Sequence, residues 1–320
     1  MKAMVLTGPR QMVLQEWPEP EVTRDGVAVK VEAAAICNTT DYRSYAANDP
    51  SEAWPSLPYP VVIGHEVCGR IVARGEGVTG WNVGDRISGW GVSHGGYAEY
   101  CAVTPDDMAP IRVPESVPAE EASFLELVIG TLRYLATPDG FLVESGQRVA
   151  VTGLGPAGLL YLQHALLLGA AEAWVTDRNP ARRELARQLG AHQVYDSVEE
   201  MVEAAARSGS LFDSILDSTG ADLRKLAGKC LRADGAIVPF GLHFDWNALG
   251  GAIEGKPFHV AQGGVAEARQ VIPRVETWLA EGALRLGPLV SRRIGLAEIP
   301  EAIEALQRRP KKMVKVVAIP

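Results

Sequence analysis

The sequence predicts an α/β protein that combines a β-rich part with a doubly wound, mainly parallel sheet. Up to about residue 125, short β-type runs such as Val27 to Val31 and Cys68 to Val72 lie between glycine and proline clusters. From Arg148 onward, short apolar strands alternate with helical segments. This alternation is typical of parallel strands that are covered by helices on both faces.

The strands of the second part are recognised as short apolar runs between turn residues. They are predicted at Arg148 to Thr152, Ala173 to Thr176, Ser214 to Leu216, Ala236 to Phe240 and Phe258 to Ala261. Each run has the length of a strand and is followed by polar or glycine-containing sequence.

Capping residues mark where several helices begin. Asn179-Pro180 supplies an N-cap and a first-turn proline, and Ser197 begins the next helix. Two amphipathic helices are predicted near the C-terminus, at Val265 to Ala280 and at Glu298 to Arg308. The final strand, Met313 to Ile319, has no partner nearby in sequence, so we expect it to return to the β-rich domain.

Length and composition restrict the class of protein. With 320 residues the chain exceeds the usual size of one domain, so two cores are expected. The four cysteines form no CxxC pair, which favours a reducing cytoplasm over a disulfide scaffold.

A net charge of −8 and a pI near 5.4 argue against nucleic acid or an anionic membrane as the partner. No stretch approaches the roughly 20 apolar residues of a membrane span. We therefore expect a cytoplasmic protein whose partner is a small molecule.

A glycine-rich loop between a strand and a helix predicts a dinucleotide site. The loop carries Gly153, Gly155 and Gly158, with Pro156 and Ala157 between the last two. This order places a pyrophosphate on the N-terminus of the following helix.

An acid after the next strand predicts the choice of cofactor. Asp177 follows the third glycine by nineteen residues, where a carboxylate binds the ribose hydroxyls and repels a 2'-phosphate. Arg178 beside it partly offsets that repulsion, so NAD is predicted and NADP is the less favoured cofactor. Arg182, on the following helix, is a candidate for the adenine side, with a solvated helix arginine as the alternative.

Four residues ahead of the glycine loop have the side chains that a catalytic zinc takes. Cys37 is followed by His65 and Glu66, and Glu126 stands alone in an apolar run. A thiol, an imidazole and carboxylates suit a zinc that keeps one position open. Singly, Cys37 can be a buried apolar filler and Glu126 a helix cap. Burying Glu126 among apolar neighbours is costly without a cation, which favours the metal.

In their order, these motifs resemble the medium-chain dehydrogenase/reductase superfamily, and the site pattern is closest to its sorbitol and threonine dehydrogenase branch. The resemblance rests on Ile36 to Thr39, Pro60 to Glu66, Gly84 to Arg86, Gly96 to Tyr100, Gly153 to Gly158 and Leu231 to Gly235. It implies a GroES-like catalytic domain built from residues 1–127 and 266–320, with a Rossmann NAD-binding domain at 128–265. The active site is then expected in the cleft between the domains.

The resemblance also implies roles for individual residues. Cys37 and His65 match the first two zinc ligands of the family, and Glu126 matches the third. Glu66 matches a neighbouring carboxylate that can ligate directly, so the choice between the two acids stays open. Thr39 matches the residue that hydrogen-bonds the reacting hydroxyl and starts the proton path. Thr219 and Leu242 complete the candidate cofactor-binding residues.

Two departures from the family pattern follow Thr39. Thr40 stands where the family commonly has Asp, and Tyr42 stands at the position of a relay histidine and is a candidate catalytic residue. The missing acid weakens the orientation of the His65 ring unless Asp41, one residue later, takes that role.

A third departure concerns the structural zinc of many relatives. The ten residues from Ile87 to Gly96 contain no cysteine, so we expect one catalytic zinc and no structural zinc. Trp90 and His94 in this short segment are candidates to line the substrate cleft, although a solvated loop is the more ordinary environment for His94.

These observations predict a zinc-dependent oxidoreductase that transfers a hydride between NAD(H) and a secondary alcohol or ketone of a polar small molecule, such as a sugar, cyclitol, polyol or amino alcohol. Pairing through Phe258 to Gly263 would make it a homodimer or homotetramer. Two alternatives stay open: a metal-free NADPH-dependent carbonyl or enone reductase, and a non-catalytic nucleotide-binding regulatory protein.

Overall fold

The structure is a computed structural model that describes residues 1–46, 57–91, 95–220, 223–241, 252–253, 256–257, 259, 264–308, 310 and 312–320. The chain divides into two compact units. Unit 1 comprises Met1–Ile129, Ile272–Gly282 and Leu286–Pro320, and unit 2 comprises Gly130–Val271 and Ala283–Arg285. Leu242, His94 and, apart from His259, the segment from Phe258 to Gly263 lie outside the described residues.

The strands in chain order are β1 (Lys2–Gly8), β2 (Gln11–Glu16), β3 (Val27–Ala35), β4 (Val61–Val62), β5 (Glu66–Arg74), β6 (Arg86–Trp90), β7 (Tyr100–Val103), β8 (Ala109–Arg112), β9 (Ala136–Thr137), β10 (Gly140–Phe141), β11 (Arg148–Thr152), β12 (Glu172–Thr176), β13 (Gln193–Tyr195), β14 (Phe212–Asp217), β15 (Leu231–Pro239), β16 (Ala252–Ile253), β17 (Lys256–Pro257), β18 (Val290–Gly295) and β19 (Lys315–Ile319).

The helices are α1 (Thr40–Ala46), α2 (Ala119–Ala122), α3 (Leu125–Arg133), α4 (Pro156–Leu167), α5 (Pro180–Gln188), α6 (Val198–Ser208), α7 (Arg224–Cys230), α8 (Val265–Ala280) and α9 (Ile299–Gln307). Within the ranges that the structure describes, none of them has the length and apolar character that crossing a bilayer would require.

Unit 1 is built on a β-sheet in which the C-terminal strands β18 and β19 join strands from the first 112 residues. Its strands lie in the order β18-β19-β3-β5-β6-β8, and β7 also pairs with β3. Strand β19 runs antiparallel to β3, with Val317 opposite Ala35. The predicted return of the last strand to the β-rich domain is therefore confirmed.

One apolar core anchors the loops that carry the candidate metal ligands. Leu6, Ile36, Ile63 and Ile71 are almost fully buried in the same cluster. Burying a side chain of this size contributes roughly 1.5–3 kcal/mol. Ile36 directly precedes Cys37, and Ile63 lies two residues before His65. Packing thus fixes the backbone on both sides of the candidate site.

Unit 2 contains a doubly wound parallel sheet. Among the described residues its strands lie in the order β13-β12-β11-β14-β15, and each neighbouring pair is parallel. The order reverses between β11 and β14, which is where such sheets bind nucleotides. The predicted starts of two helices are confirmed, because Asn179 caps α5 by accepting a hydrogen bond from Ala181 N and Ser197 caps α6 by accepting one from Glu200 N.

Candidate metal and cofactor sites

Unit 1 brings three of the predicted metal ligands together. One ligand atom each of Cys37, His65 and Glu66 lies within 4.8 Å of the other two. The sheet register explains this arrangement, because Ala35 at the end of β3 lies opposite Glu66 at the start of β5. Cys37 lies two residues after Ala35, and His65 lies one residue before Glu66. The pairing of the two antiparallel strands therefore places Cys37 and His65 side by side.

Asp41 connects the members of this group. Its Oδ1 lies 3.1 Å from His65 Nδ1, and its Oδ2 accepts a hydrogen bond from Cys37 N at 2.8 Å. The Asp41 side chain is 2% exposed. The carboxylate that contacts the histidine therefore comes from Asp41 and not from position 40, where the family commonly has Asp. The chain thus retains a carboxylate that orients the histidine ring.

Tyr97 also holds the Asp41 carboxylate. Its hydroxyl donates to Asp41 Oδ2 at 2.5 Å. The ring reaches this position because Gly64, at φ 96°, has no side chain, and a Cβ there would lie 2.7 Å from Tyr97 Cδ1. Tyr97 N also donates to the carbonyl of Ile63 at 3.0 Å. Gly64 is thus required both for the backbone turn and for the close approach of the tyrosine.

The protonation of the histidine and the acid is coupled. Burial by itself disfavours the charged imidazole, but the charge of Asp41 and its hydrogen bond outweigh burial and raise the pKa of His65 well above 6.5. Burial likewise opposes the charged form of Asp41, while His65 and Tyr97 stabilise it, so the pKa of Asp41 lies below its usual range. Each of the two groups therefore stabilises the charged form of the other.

Glu66 is held by a buried cation. Lys315, the first residue of β19, donates to both carboxylate oxygens of Glu66 and to the carbonyl of Ile36 at 3.2 Å. The two side chains are 1% and 0% exposed. The Lys315 ammonium also lies 5.9 Å from the centre of the Phe124 ring. Burial opposes the charge on Lys315, but Glu66 and Cys37 raise its pKa above the usual value.

Glu126 occupies a different position from the other three candidates. It is half-buried in the first turn of α3, and its negative charge contributes to raising the pKa of Lys315. Among the described residues, the group of ligand atoms within 4.8 Å contains Glu66 and not Glu126. The structure thus places Glu126 near the buried lysine but outside the closest set of donors.

Thr39 and Tyr42 lie on the turn and helix after Cys37. Thr39 is half-buried, and its carbonyl accepts a hydrogen bond from Arg43 N at 3.0 Å. The Tyr42 hydroxyl accepts a hydrogen bond from Arg10 at 2.8 Å, and the Arg10 guanidinium lies 5.5 Å from the centre of the Tyr42 ring. Tyr42 is therefore engaged in an exposed network, while Thr39 stays close in sequence to the donor group.

In unit 2 the glycine loop has the shape that a dinucleotide site requires. Gly153 has φ 81°, and a Cβ there would lie 2.6 Å from Thr219 Cγ2. A Cβ at Gly158 would lie 1.8 Å from the carbonyl oxygen of Gly153. Gly155 is the N-cap of α4, and Pro156 and Ala157 begin the helix. No larger residue fits at Gly153 or Gly158 without moving the loop.

The carboxylate of Asp177 lies beside this loop. Its Oδ2 accepts a hydrogen bond from Leu154 N at 2.7 Å, and its Oδ1 accepts one from Asn179 N at 2.7 Å. Arg182 Nη1 lies 4.0 Å from Oδ2, and Arg178 is exposed. The predicted acid and the predicted arginines therefore surround the turn that follows β12.

Comparisons with known proteins agree with this geometry. The sequence-family model of the alcohol dehydrogenase GroES-like domain matches residues 23–115. The sequence-family model of the zinc-binding dehydrogenases matches residues 156–262. The chain belongs to the medium-chain dehydrogenase/reductase superfamily. The L-threonine 3-dehydrogenase of Rhizobium rhizogenes is 29% identical, over 96% of this chain and 95% of that protein. That of Pectobacterium atrosepticum is 27% identical, over 96% and 91%.

Solved structures of the superfamily share the fold over the whole chain. The alcohol dehydrogenase TADH from Thermus sp. ATN1 has a TM-score of 0.80 at 25% identity, covering 100% of this chain and 99% of that one. A zinc-binding dehydrogenase from Sinorhizobium meliloti 1021, solved bound to NADP, has a TM-score of 0.78 at 26% identity with the same coverage. The predicted GroES-like and Rossmann architecture is confirmed.

This medium-chain dehydrogenase/reductase is therefore an NAD(P)-dependent enzyme of the alcohol dehydrogenase type that acts on a small-molecule alcohol. The motifs predicted a resemblance to the threonine and sorbitol dehydrogenase branch, and the similarity to L-threonine 3-dehydrogenases supports it.

The sequence reasoning missed two residues of these sites. Lys315 stands in the apolar run Val314 to Ala318. A lysine buried in such a run needs a counter-charge, and this feature of the sequence could have indicated a buried ion pair. Asp217, at the end of β14, accepts hydrogen bonds from Thr152 Oγ1 at 2.5 Å and from Thr219 N at 3.0 Å. Burial raises the pKa of Asp217. Its signal was an acid ending an apolar strand next to the predicted cofactor residue Thr219.

Proposed function

We propose that this dehydrogenase uses one catalytic zinc to oxidise a secondary alcohol in a polar small molecule, with NAD as the hydride acceptor. Cys37 and His65 would hold the metal together with a carboxylate from Glu66 or Glu126. The observation that carries the proposal is the convergence of a sulfur, a nitrogen and an oxygen donor within 4.8 Å of one another.

The residues present fit a zinc ion. Thiolate, imidazole and carboxylate are the donors of catalytic zinc sites, and Asp41 supplies the hydrogen bond that commonly fixes a ligating histidine. When bound, zinc would polarise the substrate oxygen and lower the pKa of the alcohol. A single zinc is proposed because the segment from Ile87 to Gly96 offers no cysteine.

The chain's own residues orient the ring and carry the proton. Asp41 engages Nδ1 of His65, which leaves Nε2 as the remaining ligand atom of that ring. We assign to Thr39 Oγ1 a relay role, because Thr39 lies two residues after Cys37: the hydroxyl takes up the substrate hydroxyl proton as it passes its own proton toward solvent. Tyr42 is proposed as the outer end of this path, since its hydroxyl lies in an exposed network with Arg10.

The proposed preference for NAD rests on Asp177. Its carboxylate lies against the glycine loop through Leu154 N, where it would meet the adenosine ribose and repel a 2'-phosphate. The exposed Arg178 and the nearby Arg182 weaken that repulsion. The similar protein from Sinorhizobium meliloti was solved bound to NADP, so turnover is to be measured with both NAD and NADP.

The proposed substrate class follows from the relatives and from the acids at the site. L-threonine 3-dehydrogenases act, by name, on position 3 of threonine, a secondary alcohol in a polar molecule. Sugars, cyclitols, polyols and amino alcohols share that chemistry and form the screening panel.

The deciding experiment measures metal content and turnover in three proteins. Wild type purified without added metal is expected to carry about one zinc per chain, and Cys37→Ala almost none. Cys101→Ala is the matched control, because Cys101 is a buried cysteine on β7 of the same unit and is expected to keep the zinc. NADH formation is then followed with L-threonine and the polyol panel, using NAD and NADP in parallel.

Each alternative function predicts a different result. A wild type without zinc that also fails to take up added zinc, yet reduces enones with NADPH, would be a metal-free reductase. A protein that binds NAD and turns over no alcohol or carbonyl would be a nucleotide-binding regulator. Zinc retained in Cys37→Ala would show that the metal is bound elsewhere.

A further inference from the structure

Lys315 places a fixed positive charge inside the candidate metal site. Its side chain is 1% exposed, and its ammonium donates to both oxygens of Glu66, the same carboxylate that belongs to the donor group. A third bond, to the carbonyl of Ile36, puts the ammonium one residue from Cys37. The ion pair therefore lies within the donor group rather than at its edge.

The site residues form one electrostatic unit around this lysine. Burial opposes the charge on Lys315, but its interactions with Glu66, Cys37 and Glu126 raise its pKa. These three residues are, with His65, the candidate donors of the metal site. A divalent cation entering the site must therefore approach a resident ammonium, and a cation that uses Glu66 as a ligand must share the carboxylate that this ammonium already occupies.

We propose that Lys315 is a resident counter-cation that neutralises Glu66 in the metal-free protein, competes with zinc for that carboxylate and so lowers the affinity of the site for zinc. Lys315 is a positioning residue in this scheme, because it acts through Glu66 and through its charge. The inference rests on the proposed zinc chemistry and adds to it a control on metal loading.

The arrangement has a physical advantage for a protein that loads its metal after folding. A carboxylate buried without a partner is strongly destabilising, and removal of one member of a buried ion pair leaves such a group. With Lys315 in place, Glu66 is paired before zinc arrives. The metal-free site can then remain folded, and zinc exchange does not expose an uncompensated charge.

The test compares zinc affinities of metal-free proteins by competition with a chromophoric chelator. Lys315→Met keeps the length of the side chain and removes the charge, so its zinc dissociation constant is expected to fall at least about tenfold below that of wild type. Lys315→Arg keeps the charge and is expected to stay within about threefold of wild type. Lys30→Met is the matched control, because Lys30 is an exposed residue of β3 in the same unit.

A second comparison avoids the unpaired carboxylate that Lys315→Met creates. Glu66→Gln retains the lysine, and the double variant Glu66→Gln/Lys315→Met carries neither ionisable side chain. The double variant is expected to bind zinc at least about tenfold more tightly than Glu66→Gln. This difference isolates the effect of the lysine, because both proteins lack Glu66.

The outcomes separate this inference from the proposed function. If wild type binds zinc through Cys37 but removal of Lys315 leaves the affinity equal or weaker in both comparisons, the role of Lys315 is overturned and the zinc enzyme stands. If wild type binds no zinc and Lys315→Met does, the counter-cation is supported and the native zinc enzyme is rejected. If no variant binds zinc, both proposals fall.

Discussion

Replacing Asp41 by Asn tests whether this acid sets both the stability and the metal affinity of unit 1. The side chain is 2% exposed and contacts His65 Nδ1 at 3.1 Å, Cys37 N at 2.8 Å and the Tyr97 hydroxyl at 2.5 Å. Asparagine has the same shape, but one of its two terminal atoms donates and cannot accept. At least one of these three contacts is therefore lost or reversed.

The size of the effect follows from the bonds that change. A hydrogen bond to a charged group contributes about 1.5–3 kcal/mol, so Asp41→Asn is expected to lower the free energy of unfolding by about 2–3 kcal/mol. If the amide N–H turns toward His65, Nδ1 must accept it and the ring proton moves to Nε2, the remaining ligand atom. Zinc affinity is then expected to fall about 10- to 100-fold.

Calorimetry of the metal-free protein and chelator competition measure the two effects separately. The melting temperature should fall by roughly 5–10 °C. Asp85→Asn is the matched control, because the Asp85 carboxylate accepts hydrogen bonds from Asn82 and Arg112 in a more exposed turn. Its zinc affinity is expected to match that of wild type. An Asp41→Asn protein with unchanged melting temperature and unchanged zinc affinity would refute the role assigned to Asp41.

Three further predictions concern turnover and the cofactor. Thr39→Ala is expected to lower kcat about 100-fold or more, and Tyr42→Phe less than tenfold, because only the first is proposed to receive the substrate proton; equal losses in steady-state kinetics would contradict this order. Gly158→Ala is expected to abolish detectable NAD binding in calorimetric titration, since its Cβ would lie 1.8 Å from the Gly153 carbonyl oxygen, and normal affinity would contradict the loop geometry. Asp177→Ser is expected to shift the ratio of kcat/KM values toward NADP by about tenfold or more, and an unchanged ratio would remove Asp177 as the selective residue.

The nucleotide-binding half could be predicted from sequence because its signals are local. Strand β11, the loop from Gly153 to Gly158 and helix α4 follow one another without interruption, and Asp177 directly follows the next strand. The close contact that requires Gly158, with the carbonyl oxygen of Gly153, forms within this short segment, whereas Gly153 is crowded by Thr219 after β14. Helix caps such as Asn179 also act over only two residues, so the local sequence was sufficient to predict where the helix begins.

The candidate metal site could be predicted only in part. The types of Cys37, His65 and Glu66 indicated zinc, and the structure brings their ligand atoms together. Sequence could not decide whether Asp41 replaces the acid missing at Thr40, because a one-residue shift changes which side chain faces the histidine. That choice depends on how the turn after β3 packs against Tyr97.

The sequence by itself determined the class of this protein: an α/β dehydrogenase with a glycine loop, an acid after the next strand and zinc-type donors ahead of both. Only the tertiary structure decided what surrounds Glu66. Lys315 is 249 residues away in the chain and meets it because β19 pairs with β3, which in turn pairs with β5. Local patterns fix strands, loops and caps, but a buried ion pair between strands distant in sequence is set by sheet order and register, which no short segment of the chain encodes.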